Sequence, residues 1–300
     1  MYKNYIEFLS DRGISYTLNE PMASHTSFRI GGPSDLYVSP ETAEELKDAY
    51  AEARRLSLRT YILGKGSNVL FDDSGFRGVV ISTEKLNSVT VEGNVLTAEC
   101  GASFTHISAV ARDHGLSGLE FAYGIPGAVG GAVYMNAGAY GGEVSQCLAS
   151  STAFDPVSGR ILYTEGADHS FAYRTSIYKK HPERVILSAS FKLTPFYRGE
   201  IKFRMDDLMQ RRKDKQPLEY PSAGSVFKRP EGYFVGQMIE ELGLKGYTVG
   251  GAQISEKHAG YIINRGGATS FDVLTLVKFI KEKVHEKYNV ELECELIYVK

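Results

Sequence analysis

Cysteine is scarce in this 300-residue chain. Cys100, Cys147 and Cys294 stand far apart with no CxxC pair. That argues against a disulfide framework or a zinc site and suits a reducing compartment. No run of about 20 apolar residues is present to span a bilayer, and residues 1–13 are too polar for a signal peptide. A cytoplasmic protein without membrane insertion is therefore expected. Positive charge is not in excess: 34 Lys and Arg face 36 Asp and Glu, for a net charge of −2. Such a balance leaves no basic footprint for nucleic acid. A Walker-type phosphate loop, internal repeats and low-complexity tracts are also missing. The remaining composition, 43% hydrophobic and 23% charged, is that of a globular protein long enough for two or three packed units.

Glycine is what the chain does concentrate. From Gly118 to Gly142, glycine and alanine fill more than half the positions, and the only charge before the end of the stretch is Glu120. Ile125-Pro126-Gly127 reads as a tight turn, and Ala128, Gly130 and Gly131 leave room rather than fill it. Two readings fit: turns that let one sheet pack on another, or a wall lying against a flat, extended cofactor. A second glycine feature, Gly64-Lys65-Gly66-Ser67-Asn68, follows a strand-like run, Thr60 to Leu63. Its amides suit a phosphate, but Val69 stands where a dinucleotide fingerprint needs its third glycine, and Val69-Leu70-Phe71 resembles a strand rather than a helix. Taken alone, it is equally an ordinary strand-to-strand turn.

Periodicity supplies the frame. Residues 3–12 predict a helix stopped by Gly13, and residues 40–57 an amphipathic helix capped by Ser39. Strands are predicted at 35–38, 78–82, 88–91, 95–100, 149–155, 160–163 and 185–193, with a helix at 103–114. The character changes near residues 194–197. Beyond lie helices at 204–213 and 233–242, a strand pair at 249–254 and 259–264, and a long helix capped by Ser270. The run Ser222-Ala223-Gly224-Ser225 reads as rigid punctuation after Pro217 and Pro221. Helices and strands alternate throughout, so the class is α/β or α+β.

Two polar features stand out. Tyr173-Arg174, in the loop Phe171 to Ser176, is either a solvated edge or a clamp for a carboxylate or phosphate. Residues 290–300 alternate as a strand, with Glu295 where the polar face turns apolar. Partial burial there would raise its pKa towards a general acid's; otherwise it is the last exposed acid before the strand goes under.

Six segments in order resemble the UDP-N-acetylenolpyruvoylglucosamine reductase family across nearly the whole chain. They are Thr26–Gly32, Ile62–Phe71, Gly124–Gly127 with Gly138–Gly141, Tyr173–Ser176, Ala223–Lys228 and Leu292–Glu295. The resemblance implies an FAD-binding domain of the vanillyl-alcohol-oxidase (PCMH) type over residues 1–195, in subdomains of about 1–85 and 86–195. It also implies a smaller C-terminal α+β substrate domain over 196–300, its last strand returning towards the flavin domain. FAD, held without a covalent link, would contact Leu63, Gly64, Lys65, Gly66, Ser67, Asn68 and Val69, then Gly124, Ile125, Pro126, Gly127, Gly130, Gly131 and Ala132. NADPH would be the co-substrate and a UDP-sugar the substrate, with no metal and a monomeric state expected.

In that family's reaction NADPH reduces FAD, hydride passes to the β-carbon of an enolpyruvyl ether, and charge spreads into the carboxylate as an enolate. By resemblance, Arg174 and Glu295 stabilise the enolate and Ser225 donates the proton to carbon. Lys215 would bind the anionic substrate or polarise the proton-donor site, and Tyr140, Tyr173, Phe227, Lys228 and His258 would be further substrate contacts. Three positions depart from the pattern: His25 and Arg229 replace common asparagines, and Cys294 replaces a proline or arginine. The compact run from Phe191 to Lys213 lacks the insertion that covers the substrate in some members. The rivals are another flavoenzyme of the superfamily and a non-catalytic nucleotide-sugar-binding protein. The first needs a histidine or cysteine beside the flavin for a covalent link; the second has no need of Arg174, Ser225 and Glu295 together.

Overall fold

The computed structural model describes residues 2–300. In chain order the elements are α1 (Lys3–Asp11), β1 (Ser15–Pro21), β2 (Pro33–Ser39), α2 (Ala43–Arg55), β3 (Thr60–Leu63), β4 (Val69–Phe71), β5 (Phe76–Ser82), β6 (Val89–Glu92) and β7 (Val95–Glu99). There follow α3 (Phe104–Asp113), β8 (Leu116–Ser117), α4 (Val129–Met135), β9 (Gly138–Ala139), β10 (Gly142–Glu143), β11 (Leu148–Asp155), β12 (Arg160–Glu165), α5 (Ile177–Lys180), β13 (Val185–Lys192) and β14 (Thr194–Pro195). The remainder comprises α6 (Arg198–Lys215), β15 (Ser222–Ser225), α7 (Val235–Glu241), β16 (Thr248–Val249), β17 (Ala252–Ile254), β18 (Tyr261–Asn264), α8 (Ser270–Tyr288) and β19 (Ile297–Val299).

Two units emerge. The first takes residues 1–18, 36–65 and 78–210; the second takes 19–35, 66–77 and 211–300. In the first unit, β3 runs parallel to β5 in a sheet ordered β1-β2-β5-β3, and an antiparallel sheet is ordered β12-β11-β13-β7-β6. β5 is buried along nearly its whole length, as a parallel strand covered on both faces must be. Helix α2 buries Leu46, Ala49, Tyr50 and Ala53, the spacing of one helical face. These join Phe104 and Ile107 of α3 and Phe191 of β13 in one core.

The second unit builds its core on the antiparallel sheet β15-β18-β17-β16. Helix α8 buries Val273, Leu276, Val277, Ile280 and Val284, as its periodicity predicts, and Ile254, Ile262 and Met238 belong to the same cluster. The final strand, β19, runs parallel to β4, with Ile297 opposite Val69 and Val299 opposite Phe71.

Several expectations are corrected. The cap of α2 is Thr42, whose hydroxyl accepts from the Glu45 amide, and the helix begins at Ala43 rather than at residue 40. Thr269, not Ser270, caps α8, in a reciprocal capping box with Asp272. The glycine-rich stretch contains a helix, α4, where only turns were read. Ser222–Ser225 is a strand, not punctuation. Only residues 297–299 of the final segment are a strand; before them lies a single bridge from Cys294 to Phe227. The two units divide at residues 210/211, inside α6, and the second includes two segments from the first eighty residues.

Ser270 is freed from capping for another task. Its amide and hydroxyl donate to Asp73 at 2.8 Å each, and the Phe271 amide adds a third bond at 3.2 Å. A carboxylate there also complements the positive end of the helix dipole. Asp73→Ala is expected to destabilise the protein by about 1–2 kcal/mol, the range for losing a helix cap. A midpoint in urea unchanged from the parent would contradict this role.

Candidate active site

Loop 64–68 leaves β3 and enters β4. Among the described residues, none of the amides from Gly64 to Asn68 donates to another protein atom. Their carbonyls do find partners: Gly66 O accepts from Ser27 N at 3.1 Å and Asn68 O from Ile297 N at 3.0 Å. A run of unspent N–H donors in a turn is what a diphosphate takes up. Gly66 has φ +57°, and a Cβ there would overlap His25 O. His25 itself bonds Glu20 at 2.8 Å, so the residue at this departure from the family pattern lends its backbone to the loop's path.

The glycine stretch is placed by the turn after β7. Gly130 N donates to Cys100 O at 2.8 Å and Val129 N to Ala102 O at 2.9 Å. Two of the first-turn amides of α4 are thus spent on protein, which argues against a helix-terminus phosphate site. The Gly131 amide donates to no protein atom among the described residues, and a Cβ on Gly131 would meet nothing within 4 Å. Gly64 approaches the same segment: a Cβ on it would lie 3.2 Å from Ala128 Cβ. Ala132 is buried and Gly131 exposed, so the open side of α4 carries no side chain at this point. Gly124, Ile125, Pro126 and Gly127 precede it, with the turn at Tyr123-Gly124 rather than at Ile125-Pro126-Gly127; the Gly124 amide and Ile125 carbonyl bond the Thr105 hydroxyl.

Two tight turns meet beyond α4. Tyr140-Gly141 links β9 to β10 with both residues at positive φ, 55° and 87°. Tyr173-Arg174 is bracketed by paired bonds between Ala172 and Thr175, and Arg174 has φ +55°. Arg174 Nη2 donates to Gly138 O at 3.1 Å, and its guanidinium lies 5.1 Å from the Tyr173 ring centroid. Tyr140 and Tyr173 are 42% and 52% exposed, large aromatic surfaces beside the cation.

In the second unit, β15 carries Ser225. Ser222 pairs with Ile263 and Ser225 with Tyr261, so β15 fits one extra residue against β18. Gly224, at φ +75°, lies within this bulge. Among the described residues the Ser225 hydroxyl makes no hydrogen bond to protein. The chain near Glu295 runs alongside: Glu295 N donates to Val226 O and Lys228 N to Glu293 O, both at 2.8 Å. Asn68 Nδ2 donates to Glu295 O at 3.1 Å. Glu295 is half-buried and Glu293 exposed, the difference their alternation predicts. Phe227 is buried in the core and pairs with Cys294, so it positions its neighbours. Lys228 forms an ion pair with Glu293.

His258 joins this group through Gly260, whose amide donates to its Nδ1 at 3.1 Å and whose carbonyl accepts from Val226 N at 3.0 Å. Burial, then the cations Lys245 and Lys215, hold the imidazole below its ordinary pKa, which leaves Nε2–H as a neutral donor. Lys215 itself is exposed at the end of α6. Arg229 lies over the Phe234 ring at 3.8 Å and donates to Tyr233 O. The second unit therefore brings together Ser225, Phe227, Lys228, His258 and Glu295, while Arg174, Tyr140 and Tyr173 share the first. Sequence reasoning missed Asn136, which is fully buried at the C-terminal end of α4. Its one signal is an asparagine directly after a short apolar run, a residue type suited to a left-handed helix end.

No helix among the described residues is long and apolar enough to cross a membrane. Residues 34–165 match the FAD binding domain family, and residues 216–299 match the UDP-N-acetylenolpyruvoylglucosamine reductase C-terminal domain. A curated UDP-N-acetylenolpyruvoylglucosamine reductase from Clostridium botulinum (strain Hall) is 48% identical over 297 residues, covering 98% of this chain and 96% of the relative. The solved reductase from Thermus caldophilus is 34% identical with a TM-score of 0.80, over 96% of this chain and 99% of that one. An alkyldihydroxyacetonephosphate synthase, 15% identical with a TM-score of 0.50 over 65% of this chain and 41% of its own, shares the fold alone. The architecture is the FAD-binding type with an α+β C-terminal domain, as expected.

Gly66→Ala is expected to lower the thermal midpoint clearly, because a left-handed backbone and an overlap with His25 O act together. Strain of about 1–3 kcal/mol is the scale for such a residue. An unchanged midpoint would show that the loop can be rebuilt around a side chain.

Proposed function

The chain belongs to the UDP-N-acetylenolpyruvoylglucosamine reductase family, and we propose that Arg174, Ser225 and Glu295 manage charge and protons in its reaction. The protein is an FAD-dependent oxidoreductase that uses NADPH to convert UDP-N-acetylglucosamine enolpyruvate to UDP-N-acetylmuramate in peptidoglycan precursor synthesis. We assign cofactor binding to residues 1–195 and the UDP-sugar to 196–300, in a cytoplasmic monomer.

FAD bound there would supply the hydride chemistry that links NADPH to the enolpyruvyl β-carbon. The unspent amides of loop 64–68 suit its diphosphate, and the bare face at Gly131 suits its ring system. Leu63 and Val69 flank that loop, both buried. Arg174 offers a fixed cation to the carboxylate of the developing enolate. Glu295 stabilises the same enolate, and donates a hydrogen bond to it only when protonated, because a carboxylate has no hydrogen to donate. Ser225 gives its proton to the α-carbon, the basic enolate compensating for a weakly acidic hydroxyl. Lys215, Lys228 and the His258 Nε2–H suit an anionic diphosphate sugar. The observation that carries this reading is the main-chain pairing of Glu295 with Val226, directly after a serine whose hydroxyl is unspent.

Ser225→Ala is expected to leave flavin reduction by NADPH near its parent rate and to slow reoxidation by the enolpyruvyl substrate. Glu295→Gln should slow the same step by about 10²-fold or more, the scale of general acids and oxyanion donors. Stopped-flow bleaching and recovery of the flavin colour separate the two steps, and equal damage to both would assign these residues a structural part.

Acid precipitation should release the flavin into the supernatant, as a non-covalent cofactor must. Gly131→Ala should leave the apoprotein as stable or more so, by up to about 1 kcal/mol from helix propensity. FAD affinity should fall about tenfold or more, the scale of a modest overpacking strain. Full FAD occupancy of this variant after dialysis would move the flavin away from α4.

A further inference from the structure

Asn136 sits where α4 ends, with φ +44° and ψ +57°, and its side chain is completely buried. Both ends of its amide are used. Oδ1 accepts from Ser145 N at 2.9 Å, just beyond the β9–β10 hairpin. Nδ2 donates to Ala172 O at 3.1 Å, the first residue of the Arg174 turn. The hairpin is closed at its root by Val144 N donating to Ala137 O at 3.0 Å, next to Asn136. The Arg174 guanidinium then donates to Gly138 O of that same hairpin. On the far side of the turn, Ser176 Oγ donates to Tyr134 O at 2.8 Å. The turn that presents Arg174 is therefore fastened at both ends to the last residues of α4.

We propose that Asn136 is a positioning residue for Arg174, fixing backbone and guanidinium together through one buried amide. The proposal rests on the charge-stabilising role given to Arg174 above. The chemistry of the side chain is specific. One end must accept from an amide and the other must donate to a carbonyl, in a left-handed backbone that asparagine tolerates better than most residues. Aspartate keeps the shape and the bond to Ser145 but sets an oxygen against Ala172 O. Glycine keeps the backbone without strain and removes both bonds. A displacement of about 1 Å in a positioned group can cost about 10²-fold in rate.

The test uses the FAD-loaded Asn136→Asp and Asn136→Gly enzymes, alone and combined with Arg174→Ala. The limiting rate of flavin reoxidation by the enolpyruvyl substrate should fall by about 10²-fold in both, on that scale for misplacement. Half-saturation should change little, and reduction by NADPH should stay at the parent rate. Amide hydrogen exchange at Ala172 and Thr175 should accelerate while the rest of the first unit keeps its protection. Combined with Arg174→Ala, either change should add no further loss, since a group acting through Arg174 has nothing left to position. A parent-like reoxidation rate in Asn136→Gly, or losses that multiply in the double variants, would overturn the proposal. Unchanged exchange at Ala172 and Thr175 would overturn the clamp itself. If Arg174→Ala alone reoxidised at the parent rate, the catalytic reading of Arg174 would fail instead, a result the exchange data keep distinct.

Discussion

The first unit depends on a contact that only an absent side chain permits. Gly101 follows β7, and a Cβ on it would overlap Thr83 O at the end of β5. Because that space is empty, the turn at residues 100–102 lies directly on the parallel sheet, with Gly101 N bonded to Leu86 O at 2.8 Å. Its carbonyls then receive Val129 and Gly130 and so hang α4 in place. From α4 the chain of dependence runs to Asn136, to the Ala172 carbonyl and to the turn bearing Arg174. Burial pushes the Cys100 thiol up to about 12, so this junction keeps a neutral sulfur.

The second unit solves a related problem with main-chain hydrogen bonds. Its C-terminal segment is tied by Lys228, Val226 and Asn68 in succession, each meeting a residue two further along: Glu293, Glu295 and Ile297. The register sets which residue pairs with Val226, and a slip of one residue would turn the Glu295 side chain to the other face. The exposed Lys228–Glu293 pair adds little stability on this account, because solvent screens such pairs. Its use is to keep a long cation from wandering.

The strands and amphipathic helices were legible because burial imposes a period on them, as in α2 and α8. Glycine content also marked two segments, 64–68 and 118–142, but not their form. Seven residues of α4 are too few to show a period, and glycine and alanine leave no apolar stripe to read. Ser222–Ser225 was hidden for a similar reason, since small residues have little strand preference of their own and the pairing with β18 supplies it. Both misplaced caps lie near a second hydroxyl, and sequence alone does not say which one the backbone will present. In the final segment the alternation held for Leu292, Glu293 and Glu295 but changed phase at the bend before β19, leaving Tyr298 exposed and Val299 buried. Asn136 has no periodic signature because its importance lies in two partners, nine and 36 positions away.

The bond from Asn68 to Glu295 spans 227 positions of chain. Closing so long a loop is entropically costly and slow, and such contacts raise the barrier to folding more than they raise stability. Residues 66–77 therefore leave the ribosome long before the strand they pair with exists, and β4 spends that interval as an unmatched edge. During synthesis, a nascent chain of this protein already has Ser27 to meet the Gly66 carbonyl but not Ile297 to meet that of Asn68. It follows that a chain stalled or clipped before residues 297–299 leaves the apolar strand β4 without its partner.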